Sequence, residues 1–214
     1  MRLIVIFVLG ISFGFSCSAP RAPEAISGAN HLLVNPGATP PPEKEETVPF
    51  DVVAERLKLP KPADFPVPKR EMFIGTPAAA KIVGKRAATY KTVISEGAKR
   101  GPNFAGHYTV VTWGAGMGNF SLAVVDARDG HIIFMPFDGV GHAGYGLNFE
   151  TGEETNPAYR VDSKLIAFSG CPSKEYTGCT DWDKEGFYLY SFENERFKLR
   201  KFVKQSDFEA ALKK

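Results

Sequence analysis

The chain has 214 residues, 26 of them basic and 24 acidic, for a formal charge of +2. At 43% hydrophobic and 12% aromatic it holds enough apolar material for a core, which excludes a wholly disordered chain. Near-neutrality excludes a dedicated nucleic-acid binder, which carries a strong basic excess, and three cysteines are too few for a disulfide-rich miniprotein.

Residues 1–16 read as an export signal. Arg2 supplies the positive start, and Leu3 to Ser16 is an uncharged, mostly apolar run, shorter than the roughly 20 residues that a permanent spanning helix needs. Gly14-Phe15-Ser16-Cys17 resembles a bacterial lipoprotein box, in which Cys17 becomes the lipidated first residue. Ordinary cleavage after Ser18 is the rival, with Ser16 and Ser18 as the small residues. The expected destination is the periplasm or outer membrane for a lipoprotein and secretion otherwise. Membrane contact is then confined to the N-terminal lipid.

Residues 17–70 read as a Pro-rich disordered tether. Twelve of the 16 prolines lie at or before Pro77, and between Cys17 and Met72 the aromatic residues are Phe50 and Phe65. Such a segment buries too little apolar surface to order itself. Phe50 to Leu59, FDVVAERLKL, is its one candidate for a helical turn or a docking strand.

Residues 71–214 read as a single α+β domain: a mostly antiparallel β-meander sheet packed by one long N-terminal helix, with a short C-terminal helix. Thr76-Pro77 is a suitable helix start. Apolar residues then recur with helical period at Ala79, Ile82, Val83, Ala87, Tyr90, Val93, Ile94 and Ala98. Gly84 and Gly97 are its weak points, and Gly101-Pro102 ends it. Strands are expected over His107–Trp113, Phe120–Val125, His131–Phe134, Lys164–Ser169, Gly186–Phe192 and Arg196–Phe202. Ser206-Asp207-Phe208-Glu209 is a capping box for the last helix.

Gly101 to Gly118, GPNFAGHYTVVTWGAGMG, with the later segments VVDARDG and YRVDSKLIAFSG, is similar to a group of uncharacterised secreted bacterial proteins. Their signature has the form GPNFAGHY…WGCG…C. The resemblance spans about residues 76–202. It departs at Ala115 and Asn119, where the family pattern has two cysteines. It implies export and a single β-rich domain, and it implies no activity.

Cys171 and Cys179, seven residues apart between two strand-like runs, are the expected internal disulfide in an oxidising compartment. Asp181-Trp182-Asp183-Lys184-Glu185-Gly186 matches the first half of a calcium loop, which makes Asp181, Asp183 and Glu185 the candidate Ca2+ ligands. Position twelve would be Phe192, where the bidentate carboxylate belongs, so the rival is a solvated acidic turn and no cofactor is required. Gly139-Val140-Gly141-His142-Ala143-Gly144 matches G-x-G-x-x-G, but no helical pattern follows to hold a pyrophosphate. Residues 137–158 form a long Gly-rich excursion of the kind that often carries function.

For catalysis the constellation is His107, Asp138 and His142, with Ser121 or Ser169 as nucleophile candidates and a secreted hydrolase as the implied class. No G-x-S-x-G elbow occurs in residues 71–214, and no H-E-x-x-H occurs. The missing motifs favour a non-catalytic binding or structural module of the envelope. Arg196, Lys198 and Arg200 alternate along one strand face, suited to an acidic envelope protein, an anionic glycan or a lipid head group. The rival for that stripe is protection of an edge strand.

Overall fold

The computed structural model describes residues 47–213 apart from Met117, Ala143, Tyr145 and residues 175–180. Runs of β-branched and aromatic residues become strands β1 (Tyr108–Gly114), β2 (Phe120–Asp126), β3 (Ile132–Phe134), β6 (Leu165–Ser173), β7 (Gly186–Glu193) and β8 (Arg196–Lys204). Two short strands, β4 (Gly139–Gly141) and β5 (Ala158–Tyr159), complete the sheet. Its order is β1-β2-β4-β6-β7-β8, with β3 beside β2 and β5 beside β6, and the pairings are antiparallel.

The sheet is not amphipathic, because both of its faces carry apolar residues into buried clusters. One core cluster takes Val110, Leu122 and Val124 from one end of the sheet and Phe168, Tyr190 and Phe192 from the other. The sheet therefore curls around this cluster. Phe104 and Tyr108 reach Phe192, with ring centroids 5.7 and 4.7 Å apart. Phe168 stacks on Tyr188 and Tyr190 at 5.4 and 5.7 Å. The outward residues Phe187 and Leu189 meet α1 (Phe50–Leu57) and α4 (Gln205–Leu212) in a second cluster. Val111 and Val125 meet α3 (Lys91–Ala98) in a third.

The expected long N-terminal helix does not form. Residues 77–83 are without helix, and α2 (Gly84–Thr89) and α3 are separated by Tyr90. The cause is tertiary: the Ala78 and Lys81 amides donate to the Ala127 and Gly130 carbonyls of the β2–β3 turn at 2.8 and 2.7 Å. Those bonds spread the segment flat across the turn, whatever its apolar period. Gly130 permits the contact, since a Cβ there would lie 2.0 Å from the Ala79 carbonyl oxygen. Val83, expected on the apolar stripe, is exposed. Gly97 is a close-approach residue, because a Cβ would sit 2.5 Å from Val111.

The folded unit also begins earlier than residue 71. Among the described residues it includes 47–70, so the second half of the expected tether belongs to the domain. Phe50 and Val53 of α1 are fully buried, and Phe50 meets Phe149 edge to face at 4.8 Å. Farther along, Ser163 Oγ donates to the Pro62 carbonyl at 3.0 Å and Val67 N to Asp162 O at 2.9 Å. The expected capping box is absent: α4 starts at Gln205, and no side chain caps it. Signal residues 1–16 and Cys17 lie outside the described residues. No helix of the described residues is long and apolar enough to cross a membrane.

Candidate functional site

Tyr108 pairs with Asp126 at one end of the β1–β2 ladder and Gly114 with Phe120 at the other. The start of β1, the end of β2, the start of β6 and the β7–β8 hairpin thus share one rim of the curled sheet. The Gly101–Tyr108 segment turns onto this rim. Asn103 clamps Val110 by two side-chain bonds, Val110 N to Oδ1 at 2.7 Å and Nδ2 to the Val110 carbonyl at 3.4 Å. Gly106 has φ +84°, and a Cβ there would lie 2.9 Å from the Glu71 carbonyl oxygen. Its amide donates to Val161 O at 2.7 Å, and Ala127 N donates to His107 O at 2.8 Å. The three segments GPNFAGHY, VVDARDG and YRVDSKLIAFSG therefore meet at one place.

With Glu71 and the β7–β8 hairpin they line a cleft of about 320 Å³, whose wall includes His107, Arg128, Lys164, Glu193 and Glu195. Tyr108 and Phe192 also line it. His107 is buried; its Nδ1 lies 3.1 Å from the Glu71 carbonyl, to which it donates. The other nitrogen, Nε2, is 3.8 Å from Asp126 Oδ2 and has no hydrogen-bond partner among the described residues. Burial, with the nearby Arg128 charge, holds the His107 pKa below its ordinary value, so the ring is neutral at pH 7. Asp126 is buried too, and desolvation opposes its charge. The Arg128 hydrogen bonds, Nε to Oδ1 at 3.0 Å and Nη2 to Oδ2 at 2.6 Å, more than offset this and hold its pKa down. Lys164 pairs with Glu71 at 3.0 Å and lowers that carboxyl's pKa. Burial, joined by the Asp126 charge, pushes the Tyr108 phenol up to about 12.

The proposed catalytic constellation is not assembled. Asp138 and His142 lie beside β4, which pairs with the start of β2, Phe120 facing Val140. His107 lies at the far end of that strand, six residue steps of about 3.3 Å away, or about 20 Å. Asp138 is ion-paired to Arg86 at 3.1 Å. His142 is exposed, with its ring edge to face on Trp182 at 5.0 Å. Ser121 Oγ donates to the Asp138 carbonyl at 2.6 Å and Ser169 Oγ to Gln205 Oε1 at 2.9 Å. Neither serine hydroxyl is hydrogen-bonded to a histidine in these contacts.

Nor do the calcium candidates converge. Asp181 caps a short 3₁₀ turn, accepting from Asp183 N, and pairs with Lys184 at 3.1 Å. Asp183 pairs with Lys204 at 2.8 Å, and the Glu185 carbonyl accepts from Gln205 N at 3.1 Å. Among the described residues no group of three His, Cys, Asp or Glu is arranged to hold a metal ion. Cys171 is buried on β6, while Cys179 lies outside the described residues. Arg196, Lys198 and Arg200 stand on one face of β8, as their spacing predicts, and Arg200 Nε donates to Ser191 Oγ at 2.7 Å beside a bulge opposite Leu189/Tyr190. Lys198 and Arg200 are both bound to Glu193, which spends much of that basic stripe internally.

A larger hollow of about 560 Å³ lies near Asn103, Asn148, Tyr159 and Arg160. Its guanidinium is committed on three sides, to Asp162 through Nε and Nη2 and to Glu150 through Nη1. The rim cleft is the better candidate, because it holds an unpartnered buried nitrogen. Sequence reading singled out His107 but not Glu71, Asp126, Arg128 or Lys164. Their signal was the convergence of the three resembling segments, invisible until the chain is folded.

No protein-family model matches the chain, and comparison with curated proteins and with solved structures finds no match.

Proposed function

We propose that the protein is an exported, non-catalytic envelope module that binds a small polar ligand in the rim cleft. The observation that carries this is the cleft itself: segments far apart in the chain fold together to line it with charged side chains, and its wall includes His107, whose buried Nε2 has no hydrogen-bond partner among the described residues. Unpartnered buried polar groups are uncommon and costly. A catalytic reading finds less support. His107 spends Nδ1 on a backbone carbonyl, and no serine, threonine or cysteine lines the cleft beside it. The export signal, lipidation at Cys17, a Cys171–Cys179 bridge and kinship with the secreted group carrying the GPNFAGHY signature belong to the same proposal.

The test is solution NMR on the 15N-labelled mature chain, titrated with the low-molecular-mass fraction of a bacterial envelope extract. Saturable shifts centred on Gly106, His107, Arg128 and Lys164 are expected. Shifts confined to other surfaces, or none at all, would overturn the reading.

A further inference from the structure

Trp182 is 65% exposed, the only aromatic residue among the exposed large apolar side chains of the described residues. It opens the 3₁₀ turn Trp182–Lys184, at the end of the sheet opposite the rim cleft. That turn leads into β7, where Gly186 pairs with Gly170 of β6 and Lys204 of β8. An indole left in water forgoes the burial that stabilises most tryptophans.

The turn that displays it is fastened in place. Asp181 Oδ1 accepts from the Asp183 amide at 3.2 Å, and Lys204 Nζ holds Asp183 Oδ1 at 2.8 Å. The Tyr188 hydroxyl donates to the Lys184 carbonyl. The Gln205 amide donates to the Glu185 carbonyl at 3.1 Å. The indole is therefore preorganised, and a preorganised group loses little entropy on binding.

His142 adds an independent observation. It follows β4 in the long Gly-rich excursion, yet its exposed ring meets Trp182 edge to face with centroids 5.0 Å apart. Its φ of +48° is left-handed, and its amide donates to Asn119 Oδ1 at 3.1 Å. Two segments distant in sequence thus bring an indole and an imidazole to one place on the surface.

The size and charge of this platform select among partners. The other exposed large apolar residues, Val52, Ile74, Val83 and Leu199, belong neither to the turn nor to β4, so the platform is one indole wide. A protein or membrane partner needs a broader apolar patch, of roughly several hundred Å². A nucleobase also stacks on an indole. Here, though, Asp181, Asp183 and Glu185 outnumber Lys184 and Lys204, which disfavours a phosphate backbone. An uncharged ring with hydroxyls at its rim fits both limits. In a β-1,4-linked gluco-configured chain the ring substituents are equatorial, so each sugar offers an apolar C–H face. The Asp183 side chain is 84% exposed and engages Lys204 through Oδ1, which leaves Oδ2 to accept from hydroxyls. A few polar groups beside an aromatic floor suffice to fix orientation.

We propose that Trp182, flanked by His142 and Asp183, is a stacking platform for a β-1,4-linked, gluco-configured saccharide, at a site separate from the rim cleft.

Isothermal titration calorimetry of the mature chain with chitotriose and cellotriose tests this, with a short single-stranded DNA as the rival stacked ligand. At least one of the two sugars should bind saturably, and the DNA should not. Trp182→Ala should weaken that binding about tenfold or more, at an unchanged Tm because the indole is exposed. Trp182→Tyr keeps an aromatic face and should lose less than Trp182→Ala. In NMR spectra of the 15N-labelled chain the sugar should shift the Trp182 indole N–H and the Asp183 amide, leaving Gly106 and Lys164 in place. Silence from both sugars, binding that survives Trp182→Ala, or equal loss in the two variants overturns the proposal. So does binding of the DNA, or sugar-induced shifts at Gly106 and Lys164 instead. Failure here leaves the rim cleft standing, because its own amides report on it separately.

Discussion

A neutral histidine 3.8 Å from a carboxylate is a group whose protonation the folded state resists. His107 is buried among Glu71, Asp126, Arg128 and Tyr108, and burial with the Arg128 charge lowers its pKa. The unfolded chain therefore binds a proton first, near the ordinary value of about 6.5. The stability that His107 contributes is fully present above that value and is lost as pH falls toward its lower folded pKa. Asp126 acts with the same sign in a more acid window, below its ordinary carboxylate range, because its folded pKa is also depressed. The urea midpoint of the wild-type protein should thus fall between pH 6.5 and 5. In His107→Gln the fall over that interval should be smaller, and an undiminished fall would show that another group titrates there. His107 was legible in the sequence as a residue worth naming. Its role was not, because the carbonyl that fixes its tautomer comes from Glu71, 36 residues away.

At the scale of elements, the strands were largely readable and the first helices were not. Each long strand carries its own β-branched or aromatic run, and register follows from which face must be buried. The apolar period over residues 79–98 suggested one helix, but only α2 and α3 obey it. The first part is claimed by hydrogen bonds to the β2–β3 turn. Helix α1 was legible only as a candidate helical turn or docking strand, because its eight residues lie in a proline-rich stretch and gain stability only from docking. Phe50→Ala should destabilise the protein by about 3–5 kcal/mol, measured by urea unfolding. A loss under about 1 kcal/mol would mean that α1 is an appendage. Between β1 and β2 the Ala115 amide donates to the Asn119 carbonyl at 2.9 Å. These are the two positions at which the resembling secreted proteins have cysteines. Ala115→Cys with Asn119→Cys should close a disulfide in air, within the separation a hydrogen-bonded pair allows. The gain should be about 2 kcal/mol on the loop-entropy account. A free-thiol assay showing the pair still reduced would count against that geometry.

For the whole molecule, the near-equal numbers of acidic and basic side chains are spent largely on each other. Glu71–Lys164, Asp138–Arg86 and Asp183–Lys204 tie distant segments together, while Asp126–Arg128 and the Glu193 pairs are local. Many are partly exposed and each contributes little alone. Their positions decide where polar surface remains for a ligand. Export is settled by a different measurement, the mass of the mature N-terminus: a chain beginning at lipidated Cys17 is expected, and an unlipidated chain beginning at Ala19 would defeat lipidation. The sequence by itself determined the near-neutral charge, the six principal strands and the closing helix. These depend on local pattern, which composition and period express directly. Only the tertiary structure decided the docking of residues 47–70 onto the domain, the flattening of residues 77–83 and the meeting of three segments around the rim cleft. Each of those rests on contacts between residues far apart in the chain, and such contacts leave no periodic mark in the sequence.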